Sequence, residues 1–287
     1  MKPRFEVRRE SKSEFAVAVE WARREGWNPG LHDLDAFFAA DPGGFFMGFL
    51  DEHPISSISV VRYGAHYGFL GFYIVLPEFR SGGYGLKTWE RGLEHLGSRT
   101  IGLDGVLAQQ DNYQRSGFEF SGRNIRCHGH VRHDATFLPS VVIRAATPDL
   151  LFQLLEMDTR LFGASRADFL KEWMFPPPDA ERLSFVAMSN DELLGYGTIR
   201  NCEAGYKIGP LMALSFDIAN ALFEALCQTC PEGADVYLDV PLNNPDALTL
   251  AHSKNMSEVF ETARMYRGQT FETDLSNVFG ITTFELG

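Results

Sequence analysis

Alternating and helical runs of apolar residues predict a regular succession of strands and helices in the first half of the chain. Strand-like segments repeat apolar positions with a period of two, whereas helical segments place them three or four positions apart. In the helix predicted over residues 83–97, Leu86, Trp89, Leu93 and Leu96 share one face. The predicted elements are, in chain order, a strand over residues 5–9, helices over 12–25 and 33–40, strands over 44–53, 55–63 and 67–76, a helix over 83–97, a strand over 100–107, a short helix over 109–117 and a strand over 118–127.

The same order of elements recurs in the second half. It comprises a strand over residues 141–146, helices over 147–163 and 166–175, strands over 183–189, 193–201 and 205–213, a helix over 217–228, a strand over 235–242, a helix over 245–255 and a strand over 257–268. At residue level, GLDGV in the first half resembles YLDVP in the second. Two copies of one α/β unit are predicted, with domains over residues 1–133 and 134–287 that meet in the polar, proline-containing stretch HVRHDATFLPS.

Composition and charge exclude several classes of protein. Of the 287 residues, 45% are hydrophobic and 22% are charged, as in ordinary globular proteins, and no apolar stretch approaches the roughly 20 residues of a membrane span. The net charge of −12 argues against general binding to nucleic acid or to anionic lipid. The charged start of the chain lacks the apolar segment of a secretion signal, so we expect a cytoplasmic protein. The oligomeric state is left open.

The four cysteines predict neither a disulfide framework nor a metal site. Cys227 and Cys230 form a single CxxC within a helical segment, without the further ligands that a tetrahedral metal site needs. We therefore expect buried thiols and no bound metal.

The stretch PEFRSGGYG, residues 77–85, follows an apolar strand and precedes an amphipathic helix. The first N–H groups of a helix lack partners and the helix dipole is positive there, so this position favours an anion. Gly82, Gly83 and Gly85 let the main chain approach a phosphate closely, and Arg80 adds a positive charge. The loop lacks the lysine followed by serine or threonine of nucleoside triphosphatases, and it does not match a dinucleotide-binding fold.

Two motifs in the first half resemble the GNAT family of N-acetyltransferases. Arg80, Gly83 and Gly85 form the Arg-x-x-Gly-x-Gly arrangement of that family's acetyl-CoA pyrophosphate loop, and YQRSGF resembles its Tyr-x-x-x-Gly-Phe ending. The second half resembles the C-terminal domain of two-domain bacterial members through IGPLMA, LDVPLNNPDALTLA and TTFELG. The resemblance implies an α/β fold with two tandem domains, each a mostly antiparallel sheet with splayed central parallel strands flanked by helices.

The resemblance also implies a set of functional residues in the first domain. Tyr113 would protonate the leaving thiolate while the substrate amine attacks the thioester directly, and the Val75 N–H would face the thioester oxygen. The implied reaction is transfer of acetyl from acetyl-CoA, without a metal, to a primary amine of a small molecule or to an exposed amino group. The implied cofactor-binding residues are Ile74, Val75 and Leu76 for the pantetheine arm, Arg80, Ser81, Gly82, Gly83, Tyr84 and Gly85 for the pyrophosphate, and Asn112, which could instead cap the short helix.

The second copy lacks these features in an ungapped comparison of YIVLPEFRSGGYG with KIGPLMALSFDIA. Leu214 stands at the position of Arg80, and Asp217 stands at that of Gly83, where a carboxylate would repel a pyrophosphate. Ala251 replaces the tyrosine. We therefore predict that the second domain has lost the cofactor site and now shapes the acceptor pocket or stabilises the first domain.

The sequence leaves the general base unassigned. The strand before the loop, YGFLGFYIVL, contains no carboxylate, and Glu78 follows it at a position that the family uses as scaffold. Asp104 on the next strand has a counterpart, Asp239, in the degenerate copy, and a residue shared by working and degenerate copies is expected to be structural.

Three further questions stay open from the sequence. The stretch EGWNPG, residues 25–30, either lines the acceptor site or forms a turn with its tryptophan in the core. Because no general base is assigned, a non-catalytic CoA-binding regulatory or interaction protein is an alternative hypothesis. A different phosphate ligand in the glycine loop is the third hypothesis.

Overall fold

The computed structural model describes residues 3–269 and 274–287, and the predicted order of strands and helices is present in both halves. The strand over residues 5–9 and the helix over residues 33–40 begin and end where the sequence pattern predicts. The first half contains β1 (Phe5–Arg9), α1 (Lys12–Arg24), α2 (Asp33–Ala40), β2 (Phe45–Leu50), β3 (His53–Tyr63), β4 (Tyr67–Val75), α3 (Tyr84–Leu96), β5 (Thr100–Val106), α4 (Gln110–Arg115) and β6 (Glu119–His130). The second half contains β7 (Val142–Ala145), α5 (Leu151–Phe162), α6 (Ala167–Met174), β8 (Arg182–Ser189), β9 (Glu192–Asn201), β10 (Tyr206–Ala213), α7 (Phe216–Cys227), β11 (Asp235–Pro241), α8 (Pro245–Ser253), β12 (Ser257–Arg267) and β13 (Val278–Gly280).

The helices differ in how their first turns are completed. At the start of α1, the Ser11 N–H donates to the Glu14 carboxylate (2.9 Å), as in a capping box. The side chain of Asn244 caps α8 by accepting from the Asp246 N–H (3.1 Å). In contrast, α3 begins after Gly83, which has a φ of 77° and offers no side chain as a cap. The first N–H groups of α3 are therefore left for another acceptor.

One mixed sheet runs through both halves, and the halves exchange strands β6 and β12. The strand order is β1-β2-β3-β4-β5-β12-β6-β11-β10-β9-β8-β7, with β13 paired to β10. Strand β12 of the second half pairs antiparallel with β5 of the first, and β6 of the first half pairs antiparallel with β11 of the second. The exchanged strands β6 and β12 also pair with each other. Each half therefore completes its sheet with a strand of the other, an arrangement that the repeat pattern alone did not predict.

The apolar core also crosses between the halves. Helix α2 packs on α6, where the buried rings of Phe37 and Trp173 stack with centroids 6.2 Å apart. All four cysteines are buried free thiols, as predicted for Cys227 and Cys230. No helix within the described residues is both long enough and apolar enough to cross a bilayer.

Strands β4 and β5 are parallel neighbours that separate along their length. Backbone pairing joins residues 67–70 of β4 to residues 100–103 of β5 and stops there. A β-bulge at Phe72 and Tyr73, opposite Ile58 of β3, bends β4 just beyond this point, and Phe72 has a φ of 44°. The resemblance predicted the splayed pair, and the bulge supplies its physical cause.

The equivalent gap in the second half is filled by the chain itself. Strands β10 and β11 pair over residues 206–208 and 236–238. Beyond that point β13 pairs antiparallel with β10, and the Ile281 N–H donates to the Asp239 carbonyl of β11 (2.9 Å). The filling is tight, because a Cβ added at Gly209 of β10 would lie 2.6 Å from the Thr282 carbonyl oxygen.

The connection after the parallel strand differs in length between the halves. Residues 76–83 separate β4 from α3, whereas only residues 214 and 215 separate β10 from α7. The ungapped comparison was therefore wrong at this loop: Ser215, not Asp217, precedes α7 where Gly83 precedes α3. The second half lacks the loop altogether instead of carrying a substituted version of it.

The comparison of the two copies holds at the later helix. The Phe118 N–H donates to the Tyr113 carbonyl, and the Met256 N–H donates to the Ala251 carbonyl, both at 3.1 Å. These equivalent turns confirm that Ala251 occupies the position of Tyr113.

Candidate active site

A cavity of about 690 Å³ occupies the gap between β4 and β5. Residues 70–75 and 103–106 of these strands form two of its walls. The predicted site residues that line it are Ile74, Val75, Arg80, Ser81, Gly83, Gly85, Asn112 and Tyr113. The remaining predicted residues, Leu76, Gly82 and Tyr84, are not among its lining residues.

Leu76 does not have a free backbone donor for a ligand. Its N–H donates to the Ile55 carbonyl of β3 (3.0 Å), and its carbonyl accepts from the Phe79 N–H (2.9 Å). We therefore leave Leu76 out of the pantetheine contacts that the resemblance implied, and keep Ile74 and Val75.

Arg80 is held at the mouth of the cavity by two polar contacts. Its Nε donates to the Val75 carbonyl (2.9 Å), and its guanidinium pairs with Glu25 Oε1 (2.7 Å). The backbone N–H of Arg80 donates to the Pro77 carbonyl (3.2 Å). The N–H groups of residues 81–86 donate to no described residue. Unpaired N–H groups at the positive end of α3, with a guanidinium nearby, form a site for an anion.

Tyr113 of α4 projects into the cavity between α3 and β5. Its ring stacks on Trp89 with centroids 5.7 Å apart, and it lies so close to Gly105 that a Cβ there would be 2.2 Å from the ring. The phenol hydroxyl makes no hydrogen bond with any described residue. Burial raises the pKa of the Tyr113 phenol, and Tyr73 adds to the effect. The phenol is therefore protonated at neutral pH and its hydrogen is available to a ligand.

Tyr73, which no sequence motif distinguished, supplies a second phenol to the same cavity. It belongs to the β-bulge of β4, and its ring contacts Trp89 edge-on at 5.0 Å. Burial raises the pKa of Tyr73 to about 12. A Cβ added at Gly85 would lie 2.7 Å from the Tyr73 hydroxyl, so the last glycine of the loop leaves room for this side chain.

The second half supplies one wall of the cavity. Phe260 and Thr262 lie on the exchanged strand β12, and Phe284 and Glu285 lie on the segment after β13. This segment crosses to the first half, where the Tyr63 hydroxyl donates to the carbonyl of Leu286 (3.0 Å). Strand exchange therefore brings residues far apart in sequence to one cavity.

The EGWNPG stretch contacts both the cavity and the core, and its place at an acceptor site stays a prediction. Trp27 lines the cavity and also packs against the core, and its carbonyl accepts a hydrogen bond from Arg126 (2.7 Å). Glu25 lines the cavity through its ion pair with Arg80.

Asp104 lines the cavity but is fully engaged in an ion pair. Arg264 of β12 donates to both of its carboxylate oxygens (2.8 and 2.6 Å). In the second half, Arg126 of β6 donates to both carboxylate oxygens of Asp239 (2.7 and 2.8 Å). The same contact in both copies agrees with the structural role expected for Asp104.

One group of side chains outside the cavity could hold a metal ion. Among the described residues, His128 and His130 of β6 and Asp235 of β11 place their ligand atoms within 4.8 Å of one another. The His128 Nε2 atom already lies 2.7 Å from Asp235 Oδ1. None of these three residues lines the cavity.

Comparison with known proteins gives matches to both halves. Residues 7–118 match a model described as "Acetyltransferase (GNAT) family", and residues 154–280 match one described as "Acetyltransferase (GNAT) domain". A holothin acyltransferase from Pseudoalteromonas sp. (strain SANK 73390) is 32% identical over 277 residues, which cover 96% of this chain and 92% of that protein.

Solved structures share the fold over nearly the whole chain. A candidate acetyltransferase from Pyrococcus horikoshii superimposes with a TM-score of 0.80 at 21% identity, covering 99% of this chain and 96% of that one. A tandem GNAT protein from the clavulanic acid biosynthesis pathway gives a TM-score of 0.65 at 12% identity, covering 93% of this chain and 100% of that one.

Proposed function

Because the chain belongs to the GNAT acetyltransferase family, we propose that it transfers an acetyl group from acetyl-CoA to a primary amine of a small molecule or to an exposed amino group. We place the reaction in the cavity between β4 and β5, most of whose lining belongs to a catalytic domain over residues 1–133. Residues 134–287 would form a second domain that has no cofactor site and contributes one wall of the cavity. The observation that carries the proposal is the open gap between β4 and β5, which has loop N–H groups without a partner among the described residues at its mouth and the Tyr113 phenol along its side.

The proposed contacts with acetyl-CoA use the loop N–H groups and the part of β4 that has no pairing with β5. The pyrophosphate would accept hydrogen bonds from the N–H groups of residues 81–86, and Arg80 would add its charge. The pantetheine arm would run along Ile74 and Val75, where β4 has lost its pairing with β5. Asn112 would line the cofactor's path from α4.

The proposed chemistry is a direct transfer. The amine nitrogen attacks the thioester carbon, and the carbon–sulfur bond breaks as the tetrahedral intermediate collapses. The Val75 N–H would stabilise the developing oxyanion, and Tyr113 would protonate the leaving sulfur.

The comparisons favour an enzyme over a non-catalytic CoA-binding protein. The relative matched across both halves is named a holothin acyltransferase, so the full two-domain chain is associated with acyl transfer in that protein. Its name also makes holothin the first small-molecule acceptor to test here.

A thermal-shift experiment tests the cofactor site. Acetyl-CoA at about 100 times its Kd should stabilise the protein by about 2.7 kcal/mol and raise the unfolding midpoint by several degrees. Arg80→Glu should abolish this shift, because a carboxylate at the mouth repels the pyrophosphate. The control is Arg24→Glu, the same charge reversal at an exposed position of α1. An equal shift in Arg80→Glu and the unmodified protein would place the cofactor elsewhere.

A further inference from the structure

The carboxylates at the cavity wall differ in whether they have a partner. Among the described residues, those that line the cavity are Glu25, Asp104 and Glu285. Glu25 is paired with Arg80 (2.7 Å), and Asp104 is paired with Arg264 (2.6 Å). Glu285 has no ion pair within the described residues, and its Oε1 atom is buried without a hydrogen-bond partner there. An unpaired buried acceptor destabilises a fold, so its retention at a cavity wall points to a ligand.

Glu285 lies at the point where β4 and β5 separate. Its carbonyl oxygen packs on Gly71, so closely that a Cβ at Gly71 would be 2.0 Å away. Gly71 directly follows the last β4 residue that pairs with β5, whereas the glycine loop follows the far end of β4. Glu285 is only 4% exposed. The backbone of Glu285 therefore lies at the start of β4's open edge, and the glycine loop follows the end of that edge.

The surroundings of Glu285 suit the amino group of an otherwise apolar molecule. Trp27, Phe260 and Phe284 line the same cavity, with the last two rings 5.9 Å apart. The Oγ1 atom of Thr262 also lines it and is buried without a partner among the described residues. A small amine with a flat apolar body would bury its rings there and give its N–H groups to these free oxygens.

Charged groups from several elements act on Glu285. Burial raises the pKa of its carboxyl above the ordinary value, and Asp33 of α2 raises it further. Lys207 of β10, Arg126 of β6 and Arg200 of β9 oppose this effect. A carboxylate with a raised pKa is a stronger base than an exposed glutamate.

We propose that Glu285 is the general base of the reaction, supplied by the second half to the cavity of the first. This inference rests on the acetyltransferase activity proposed above. As the amine nitrogen bonds to the thioester carbon, the Glu285 carboxylate takes one proton from that nitrogen. The carbon–sulfur bond breaks and its electron pair leaves with sulfur, which takes the proton of Tyr113. The proton on Glu285 then returns to Tyr113 through solvent, so that the net change is one proton moved from nitrogen to sulfur.

The test compares Glu285→Gln with the unmodified full chain, using holothin or the best amine from a panel of primary amines, and measuring thiol release. We expect kcat/KM for the amine to fall at least about 100-fold. Activity of the unmodified protein should rise with pH as Glu285 loses its proton, and Glu285→Gln should lose this dependence. The KM for acetyl-CoA and the thermal shift that it causes should not change. Glu285→Asp, which retains a carboxylate, should recover part of the activity and the pH dependence.

Two controls separate a catalytic role from a structural one. Glu258→Gln removes an exposed carboxylate from β12 and should leave activity unchanged. The unfolding midpoint of Glu285→Gln should stay close to that of the unmodified protein, because the substitution keeps the shape of the side chain and breaks no hydrogen bond at Oε1. The proposal is overturned if Glu285→Gln keeps activity within about threefold, or if its activity, midpoint and acetyl-CoA shift all fall together. If the unmodified protein releases no thiol with any amine, the proposed function itself fails and the role of Glu285 with it.

Discussion

The two gaps between parallel strands are built alike and used in opposite ways. In the first half, β4 and β5 part around a cavity, and the following loop is long and rich in glycine. In the second half, β10 and β11 part around β13, and the following connection has been reduced to residues 214 and 215. The scaffold therefore accommodates either a cavity or a strand of its own chain in this place.

The filled gap contributes to the stability of the fold, whereas the open gap is where we propose that the reaction takes place. Strand β13 satisfies backbone groups of β10 and buries Phe279 in the core of the second half. The open gap leaves the loop N–H groups and the Glu285 carboxylate without partners among the described residues. Filling the gap between β10 and β11 contributes to folding. The open gap between β4 and β5 leaves polar groups that a ligand could bind.

The largest expected effect concerns the filled gap. Phe279→Ala removes a fully buried ring from it and should lower the free energy of unfolding by about 3–5 kcal/mol. The measurement is urea denaturation of the full chain. Phe152→Ala, at a position 70% exposed, should change the same quantity by no more than about 0.5 kcal/mol. Equal effects of the two substitutions would show that β13 does not hold the second half together.

The next effect concerns the open gap. Tyr113→Phe should lower kcat by about 100-fold or more and leave the Kd of acetyl-CoA unchanged, because it removes the proton donor but keeps the ring that stacks on Trp89. Steady-state thiol release and a binding titration measure the two quantities. Tyr73→Phe tests the rival phenol of the same cavity. A large loss in Tyr73→Phe together with normal turnover in Tyr113→Phe would transfer the acid role to Tyr73.

The smallest effect concerns the loop that only the first half contains. Arg80→Ala should raise the KM for acetyl-CoA about tenfold, the range expected for one charge-assisted hydrogen bond. Its effect on the free energy of unfolding should stay below about 1 kcal/mol, because the Glu25 pair is exposed and the second half folds without this loop. Thermal denaturation measures the free energy of unfolding, and an acetyl-CoA titration of the same preparation measures the KM. A loss of stability without a change in KM would make Arg80 a structural residue.

Much of the local structure could be predicted from the sequence, because it depends on local periodicity. Apolar spacing predicts the helix over residues 33–40. Glycines before a helix predict that Arg80 and Gly83 line a cavity there. Leu86 shows the limit of this reasoning: it shares the apolar face of α3 but is 61% exposed beside the cavity. The rim of a cavity and a buried helix face give the same pattern of apolar residues in the sequence.

The features that depend on long-range pairing could not be predicted. The exchange of β6 and β12 requires no change in the sequence of either strand, because each pairs antiparallel with its new neighbours. The bulge at Tyr73 and the short strand β13 likewise lack a local signal. Glu285 could have been noted only as an acidic residue near the end of an apolar segment, because its proposed role rests on an Oε1 atom that has no hydrogen-bond partner among the described residues.

Strand exchange has a consequence for the order in which the molecule is made. While a ribosome synthesises the chain, the edge of β5 has no antiparallel neighbour until β12, more than a hundred residues later, has left the exit tunnel. We expect the edge of β5 to lack its final partner until then, and an unpaired strand edge is prone to pair with other chains. The slow step of biogenesis is expected to be this late closure, and a chaperone that covers the edge of β5 would act there before any cofactor could bind.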